Sequence, residues 1–145
     1  MSTRWSLTFD CADPAALAAF WCLALGYVNA SPPEGFASWP EWLAYAGVPP
    51  EEWDDGAYIE DPEGVRPGIS FLKVPEPKMA KNRVHLDVQA GGGRGVPWAV
   101  RWPRVTEAVG RLTAAGATVI REDVQDGTPD HVVMADPEGN EFCVL

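Results

Sequence analysis

The sequence predicts an α+β fold assembled from two β-α-β-β-β units, and two observations carry that prediction. The tetrapeptide Asp-Pro-Glu-Gly occurs twice, at Asp61–Gly64 and Asp136–Gly139. Each copy reads as a turn, with Pro pre-set at its second position and Gly at its fourth. Each half also opens with a short strand ending near an aspartate, Leu7-Thr-Phe-Asp10 and Val84-His-Leu-Asp87. From that aspartate to the turn aspartate is 51 residues in the first half and 49 in the second. A repeated order of elements is harder to dismiss than one repeated tetrapeptide.

After the opening strand, Asp13 offers an N-cap and Pro14 sits at N1, where its missing N–H loses nothing. Good helix formers follow, and Gly26 supplies the stop. A strand is expected at 27–30, then an insertion over 31–56 that carries Trp39, Trp42, Trp53 and a short helix near 41–46. In the second half Gly91-Gly-Gly-Arg-Gly95 reads as a flexible loop leading to Trp98 and Trp102. It lacks the Lys-Ser/Thr ending of a phosphate loop and the spacing of a dinucleotide fingerprint. A second helix is expected over 104–115, with Val105, Ala108, Val109, Leu112 and Ala115 on one face. Gly116 ends it and a strand over 117–122 follows. Two more strands flank each Asp-Pro-Glu-Gly turn.

Composition narrows the function. With 145 residues and 46% apolar residues, the chain buries one ordinary domain's core. Eleven basic against 21 acidic residues give a net charge of −10. That balance excludes a phosphate-backbone footprint and attraction to an anionic membrane. Residues 1–75 hold 3 basic and 11 acidic groups, while residues 76–145 hold 8 and 10. The acids gather at Glu51, Glu52, Asp54, Asp55, Glu60, Asp61 and Glu63, which read either as a solvated face or as a field that draws in a cationic ligand. Cys11, Cys22 and Cys143 form no CxxC pair, which points to a reduced, cytoplasmic setting. The first residues do not read as a signal peptide, and the apolar run 15–28 is too short to span a bilayer.

Strand alternation in Asn82-Arg-Val-His-Leu-Asp-Val88 sends Val84, Leu86 and Val88 to a packing face and Arg83, His85 and Asp87 to the other. The trio reads either as a structural network or as acid–base chemistry, with His85 moving a proton, Asp87 orienting it and Arg83 holding an anion. Ser6, Thr8 and Asp10 lie on the corresponding face of the first strand, opposite Leu7 and Phe9. Cys143 stands opposite Phe142 and Val144 and reads as a small buried hydrophobe unless a base or cation lies beside it. His131 reads as an ordinary surface or edge histidine. The tryptophans of the insertion read as core or lid packing that could also line a pocket mouth.

Four segments resemble the vicinal oxygen chelate superfamily, the glyoxalase and bleomycin-resistance-like proteins. They are the Asp13-Pro to Phe20-Trp21 helix, Val74-Pro-Glu-Pro-Lys78, Asn82-Arg-Val-His-Leu-Asp87, and Val133-Met-Ala-Asp-Pro-Glu-Gly-Asn-Glu-Phe-Cys-Val144. The combination is most similar to the glyoxalase-like branch. The resemblance implies a single domain over residues 1–145, with modules of about 1–75 and 76–145. It implies a curved mixed sheet around a central cavity and, commonly, a homodimer. It also places metal ligands, usually His and Glu, on the first and last strands of each module. Those positions here hold Ser6, Leu72, Arg83 and Cys143, a poor set for a divalent cation. No metal or other cofactor is therefore expected, although His85 and Cys143 offer two donors for a shifted site. The expected function is binding of a small molecule, with Ser6, Thr8, Trp39, Trp42, Leu72, Arg83 and Cys143 lining its site. The alternative is a lyase or isomerase, metal-free or weakly metal-dependent, in which His85 and Asp87 are catalytic and Arg83 holds an anionic substrate group.

Overall fold

In the computed structural model, which describes residues 1–145, the first module begins β1 (Leu7–Cys11), α1 (Pro14–Leu25) and β2 (Val28–Asn29). It continues through α2 (Trp39–Tyr45), a 3-10 turn (Pro50–Asp55), β3 (Gly56–Glu60) and β4 (Ile69–Lys73). The second module is β5 (Asp87–Val88), α3 (Trp98–Ala114), β6 (Thr118–Gln125), β7 (Thr128–Ala135) and β8 (Glu141–Val144). Both are β-α-β-β-β, with α2 and the 3-10 turn added to the first. The strand orders correspond, β1-β4-β3-β2 and β5-β8-β7-β6. The first strand pairs parallel with the last in each sheet, and the remaining pairs are antiparallel. Two compact units follow this division: residues 1–22 with 26–77, and residues 23–25 with 78–145. No helix is long and apolar enough to cross a membrane.

The repeated tetrapeptide makes the same turn twice. Gly64 N–H donates to the Asp61 carbonyl and Gly139 N–H to the Asp136 carbonyl, both at 2.9 Å. The two glycines hold φ of 66° and 86°, which a side chain would resist. Both aspartates are buried, because each carboxylate collects the backbone N–H groups that the turn exposes. Asp61 accepts from Glu63, Val65 and Arg66; Asp136 accepts from Glu138 and Asn140.

Helix α1 starts as the sequence predicts. The Asp13 carboxylate accepts from Ala16 N–H at 3.1 Å, Pro14 follows, and Gly26 closes the helix at φ 71°. Its Leu17, Phe20 and Trp21 are buried with Ile59, Ile69 and Phe71 of the first sheet. The Trp21 ring lies 5.3 Å from Phe9 and 5.5 Å from Phe20. In the second module Val105, Ala108 and Leu112 of α3 are buried, as are Val132, Met134, Phe142 and Val144 of its sheet.

Three local expectations are corrected. The strand expected over 82–88 shrinks to Asp87–Val88, and Val84 is 75% exposed rather than packed. The Asn82 amide donates to the carbonyls of Val84 (3.3 Å) and Glu141 (3.4 Å), which bends the backbone away from a ladder. Helix α3 begins at Trp98, six residues ahead of expectation, despite Pro103 inside it. Trp98 and Trp102 stack one turn apart at 6.3 Å, and Trp98 Nε1 donates to the Pro129 carbonyl at 2.8 Å. These contacts hold the first turns in place of the hydrogen bond that Pro103 lacks. The glycine-rich loop is anchored rather than free. Gly91 N–H donates to Leu145 O, and Arg94 reaches Asp130 at 2.7 Å. At Gly91 a Cβ would stand 2.3 Å from Arg101 Cγ, so only glycine fits there.

Candidate functional site

The insertion builds a cleft of about 540 Å³ in the first module, within the size range of small-molecule sites. Its walls are Trp39, Trp42 and Leu43 of α2, Val48, Glu52, Trp53 and Asp55 around the 3-10 turn, and Tyr58 and Leu72 of the sheet, with Asn29, Gly56 and Ala57. Helix α2 is set by Ser38, whose hydroxyl accepts from Glu41 N–H at 3.3 Å. Glu41 in turn reaches back to Ala37 N–H at 2.9 Å, completing a capping box.

That cap delivers Trp39 to the sheet, where its ring stacks on Tyr58 at 4.9 Å and meets Trp42 edge-on at 5.8 Å. Trp39 Nε1 donates to the Ala30 carbonyl (2.8 Å) and Trp53 Nε1 to the Val48 carbonyl (2.9 Å). Two indoles are therefore fixed by backbone, with ring faces or edges left for a guest. Glu52 and Asp55 are the charged groups of the lining, and no Lys, Arg or His belongs to it. Lys73 stands 3.6 Å from Asp55 and offsets part of its charge; Glu52 has no ion pair.

The second module presents a polar sheet face. Register places Asp87, Cys143, Val133 and Arg121 in one row across β5, β8, β7 and β6. His85 Nε2 lies 3.3 Å from Asp87 Oδ1. The ligand atoms of His85, Asp87 and Cys143 all fall within 4.8 Å of one another. His85 and Asp87 are about half exposed, whereas Cys143 is buried beside Val133 and Leu145. Burial pushes the Cys143 thiol above its ordinary value, and the Asp87 charge pushes it further, with Arg121 opposing. Arg121 is itself taken by Asp123 at 3.1 Å. At neutral pH the isolated sulfur is a thiol, not a nucleophilic thiolate.

Further along this face His131 departs from the edge histidine expected. It is largely buried, with Nε2 2.9 Å from Asp123 and Nδ1 3.0 Å from Asp130. Asp130 also receives Arg94 at 2.7 Å and the buried Arg101 at 3.3 Å. Its carboxyl is held far below the usual carboxylate range, first by Arg94, with burial opposing and His131 and Arg101 adding to the effect. The network ties β6, β7, α3 and the glycine-rich loop together.

The expected site residues thus fall into separate groups. Trp39, Trp42 and Leu72 share the cleft, joined by Trp53 and Tyr58. Thr8 is exposed on β1, in register with Ser70, which in turn faces Tyr58. Ser6 precedes β1 in a polar groove with Arg4, Trp5 and Arg66. His85, Asp87 and Cys143 come together on the second sheet, while Arg83 is exposed and pairs with neither acid nor histidine.

Two modules of one topology, each closed by a parallel pairing of its first and last strands, define the glyoxalase/bleomycin-resistance/dioxygenase class, the vicinal oxygen chelate fold. The chain belongs to the glyoxalase-like domain family, whose model matches residues 6–145. Solved structures agree on the fold. A possible glyoxalase from Bacillus cereus is 14% identical over 100% of this chain and 99% of its own, with a TM-score of 0.61. A glyoxalase/bleomycin resistance protein/dioxygenase family enzyme from Burkholderia phytofirmans is 17% identical over 96% and 94%, at 0.58. A fosfomycin resistance protein, FosX, from Listeria monocytogenes, complexed with Mn(II) and 1S,2S-dihydroxypropylphosphonic acid, is 13% identical over 99% and 89%, at 0.59. Comparison with curated proteins gives no match.

The family's metal chemistry sets a test for these residues. Ser6, Leu72 and Arg83, at three of the four positions that the resemblance assigns, supply no ligand suited to a divalent cation. The His85, Asp87 and Cys143 set does fit one, because it combines imidazole, carboxylate and sulfur donors at neighbouring positions.

Proposed function

We propose that this protein binds a small aromatic molecule in the tryptophan-lined cleft of its first module, and that it favours a cationic one. The observation that carries this reading is the lining itself: three indoles and a phenol, two carboxylates and no basic side chain. An organic cation gains from the ring faces and from Glu52, whereas an aromatic anion gains burial against the rings but is repelled by Glu52 and Asp55. The net charge of −10 steers in the same direction. Homodimerisation and a cytoplasmic setting belong to this reading, supported by the assembly habit of the family and by three free cysteines.

The test is a fluorescence titration with N-methylquinolinium and, separately, with 2-naphthoate, planar probes of opposite charge. The cation is expected to bind more tightly, and Trp42→Ala to weaken it about 2- to 30-fold, the range of a cation–π contact. Equal binding of the two probes, or an unchanged affinity in Trp42→Ala, overturns the proposal.

A second reading rests on the 3.3 Å approach of His85 to Asp87. In it His85 acts as acid and base, Asp87 orients the imidazole, and exposed Arg83 binds an anionic group of the substrate of a lyase or isomerase. A divalent cation held by His85, Asp87 and Cys143 would replace this acid–base pair and supply Lewis-acid polarisation of a substrate oxygen instead. Preferential binding of 2-naphthoate, lost in Arg83→Ala, supports this reading over the first.

A further inference from the structure

We infer that His85, Asp87 and Cys143 form a binding site for a borderline divalent cation of the Zn(II), Co(II) or Ni(II) kind, built by the second module alone. The inference does not depend on the tryptophan cleft, which shares no residue with this site.

Geometry comes first. Bonds of about 2.0–2.3 Å around a tetrahedral centre separate the ligand atoms by roughly 3.3–3.8 Å. His85 Nε2 and Asp87 Oδ1 already stand 3.3 Å apart. All three ligand atoms lie within 4.8 Å, so side-chain rotation on the order of 1 Å closes the set around an ion. The two groups that must move are the exposed ones, while Cys143 is held by β8 between β5 and β7. Backbone fixes the spacing: Asp87 and Cys143 are register partners, and Cys143 N–H donates to the Leu86 carbonyl at 2.9 Å.

Charge comes second. Arg121 is the cation facing Cys143, and its guanidinium Nε sits 3.1 Å from one Asp123 oxygen and 3.2 Å from the other. It is therefore neutralised locally rather than free to repel a metal. Asp87 supplies a full negative charge, and the ion draws a second from sulfur. In that step the Cys143 S–H bond is replaced by a sulfur–metal bond and the proton passes to solvent, so one proton is released per ion bound. Three protein donors with exposed flanks leave a fourth position for water or an oxygen ligand.

The donor chemistry chooses among ions. Mn(II) and Mg(II) prefer all-oxygen shells, whereas a sulfur, an imidazole and one carboxylate favour Zn(II), Co(II) and Ni(II). The site differs from the positions implied by the family resemblance, because Arg83 is passed over in favour of His85 two residues on. Asp87 is the added ligand.

The experiment uses the full chain, stripped with a chelator and titrated with Co(II), Zn(II) and Mn(II). Co(II) is expected to give a near-ultraviolet sulfur-to-cobalt charge-transfer band together with visible bands of a low-coordinate ion. Cys143→Ser should lose the charge-transfer band. His85→Ala, a change at an exposed side chain that leaves the core untouched, should weaken Zn(II) at least tenfold. Mn(II) should bind at least about a hundredfold more weakly than Zn(II). Absence of the charge-transfer band in the wild-type chain overturns the proposal. So does a Zn(II) affinity unchanged in His85→Ala, or Mn(II) binding as tight as Zn(II).

Discussion

Replacing Asp130 by alanine separates the buried part of the second module's ion network from its exposed part. The Asp130 side chain is 9% exposed and that of Arg101 7%, and the two meet at 3.3 Å. Removing the carboxylate leaves the Arg101 guanidinium with the Asp130 backbone carbonyl, at 2.8 Å, as its remaining acceptor. A buried charge stripped of its counterion costs about 3–5 kcal/mol. For a chain of this size Tm falls by about 2–4 °C per kcal/mol, so a drop of roughly 6–20 °C is expected. Arg94 bonds the same carboxylate more closely, at 2.7 Å, yet its side chain is 58% exposed. Arg94→Ala should therefore cost far less than Asp130→Ala. Urea unfolding followed by far-ultraviolet circular dichroism reads both variants. The double change Arg101→Met/Asp130→Val should recover most of the loss. If Asp130→Ala loses less than about 1 kcal/mol, or no more than Arg94→Ala, burial is not what gives this network its strength.

The glycine-rich loop makes its own prediction. Gly91→Ala drives a methyl into Arg101 and should destabilise by about 1–3 kcal/mol, whereas Gly95→Ala, with nothing within 4 Å of the added carbon, should be near neutral; thermal melts of the two variants compare them. Acid stability follows from Asp130 and Asp61, whose folded carboxyls both titrate below the usual range. Arg94 lowers the first, and the backbone N–H groups of Arg66 and Glu63 lower the second. A folded pKa below the unfolded one means that the unfolded chain binds more protons in acid. Their contribution is therefore full above about pH 4 and is lost as pH falls further. The urea midpoint should fall below that pH, and less steeply in Asp130→Asn than in the wild type.

The duplicated architecture was legible because its signals are local. A proline and a glycine at fixed places in a four-residue turn, and Asp13-Pro14 ahead of an apolar run, state their own geometry. The aromatic cleft was half legible. Trp39 and Trp42 could be named from the insertion, but Tyr58 joins them only through strand register. That it should face Trp39 depends on the Ser38 cap and the Ala30 carbonyl. Strand alternation predicts the second-module face but does not exist over residues 82–86, yet His85 and Asp87 still share a side. The burial of His131 is not legible in the sequence, because its partners, Asp123 across the hairpin and Asp130 beside it, enclose it only after β6 and β7 pair. Helix periodicity located the middle of α3 and missed its start, since Pro103 is an ordinary stop signal unless a tryptophan pair one turn apart outweighs it.

The parallel pairing of β1 with β4 has a consequence for vectorial synthesis. Leu7 is in register with Ile69 and Cys11 with Lys73, so the first strand emerges from the ribosome with no partner. At about 5–20 residues per second, the wait for β4 is roughly 3–12 s. During that interval α1, apolar on almost every side, has no sheet to cover Phe20 and Trp21. The nascent chain therefore displays an apolar helix before it owns the surface that hides it. Slower elongation across residues 12–68 lengthens that exposure, and faster elongation shortens it.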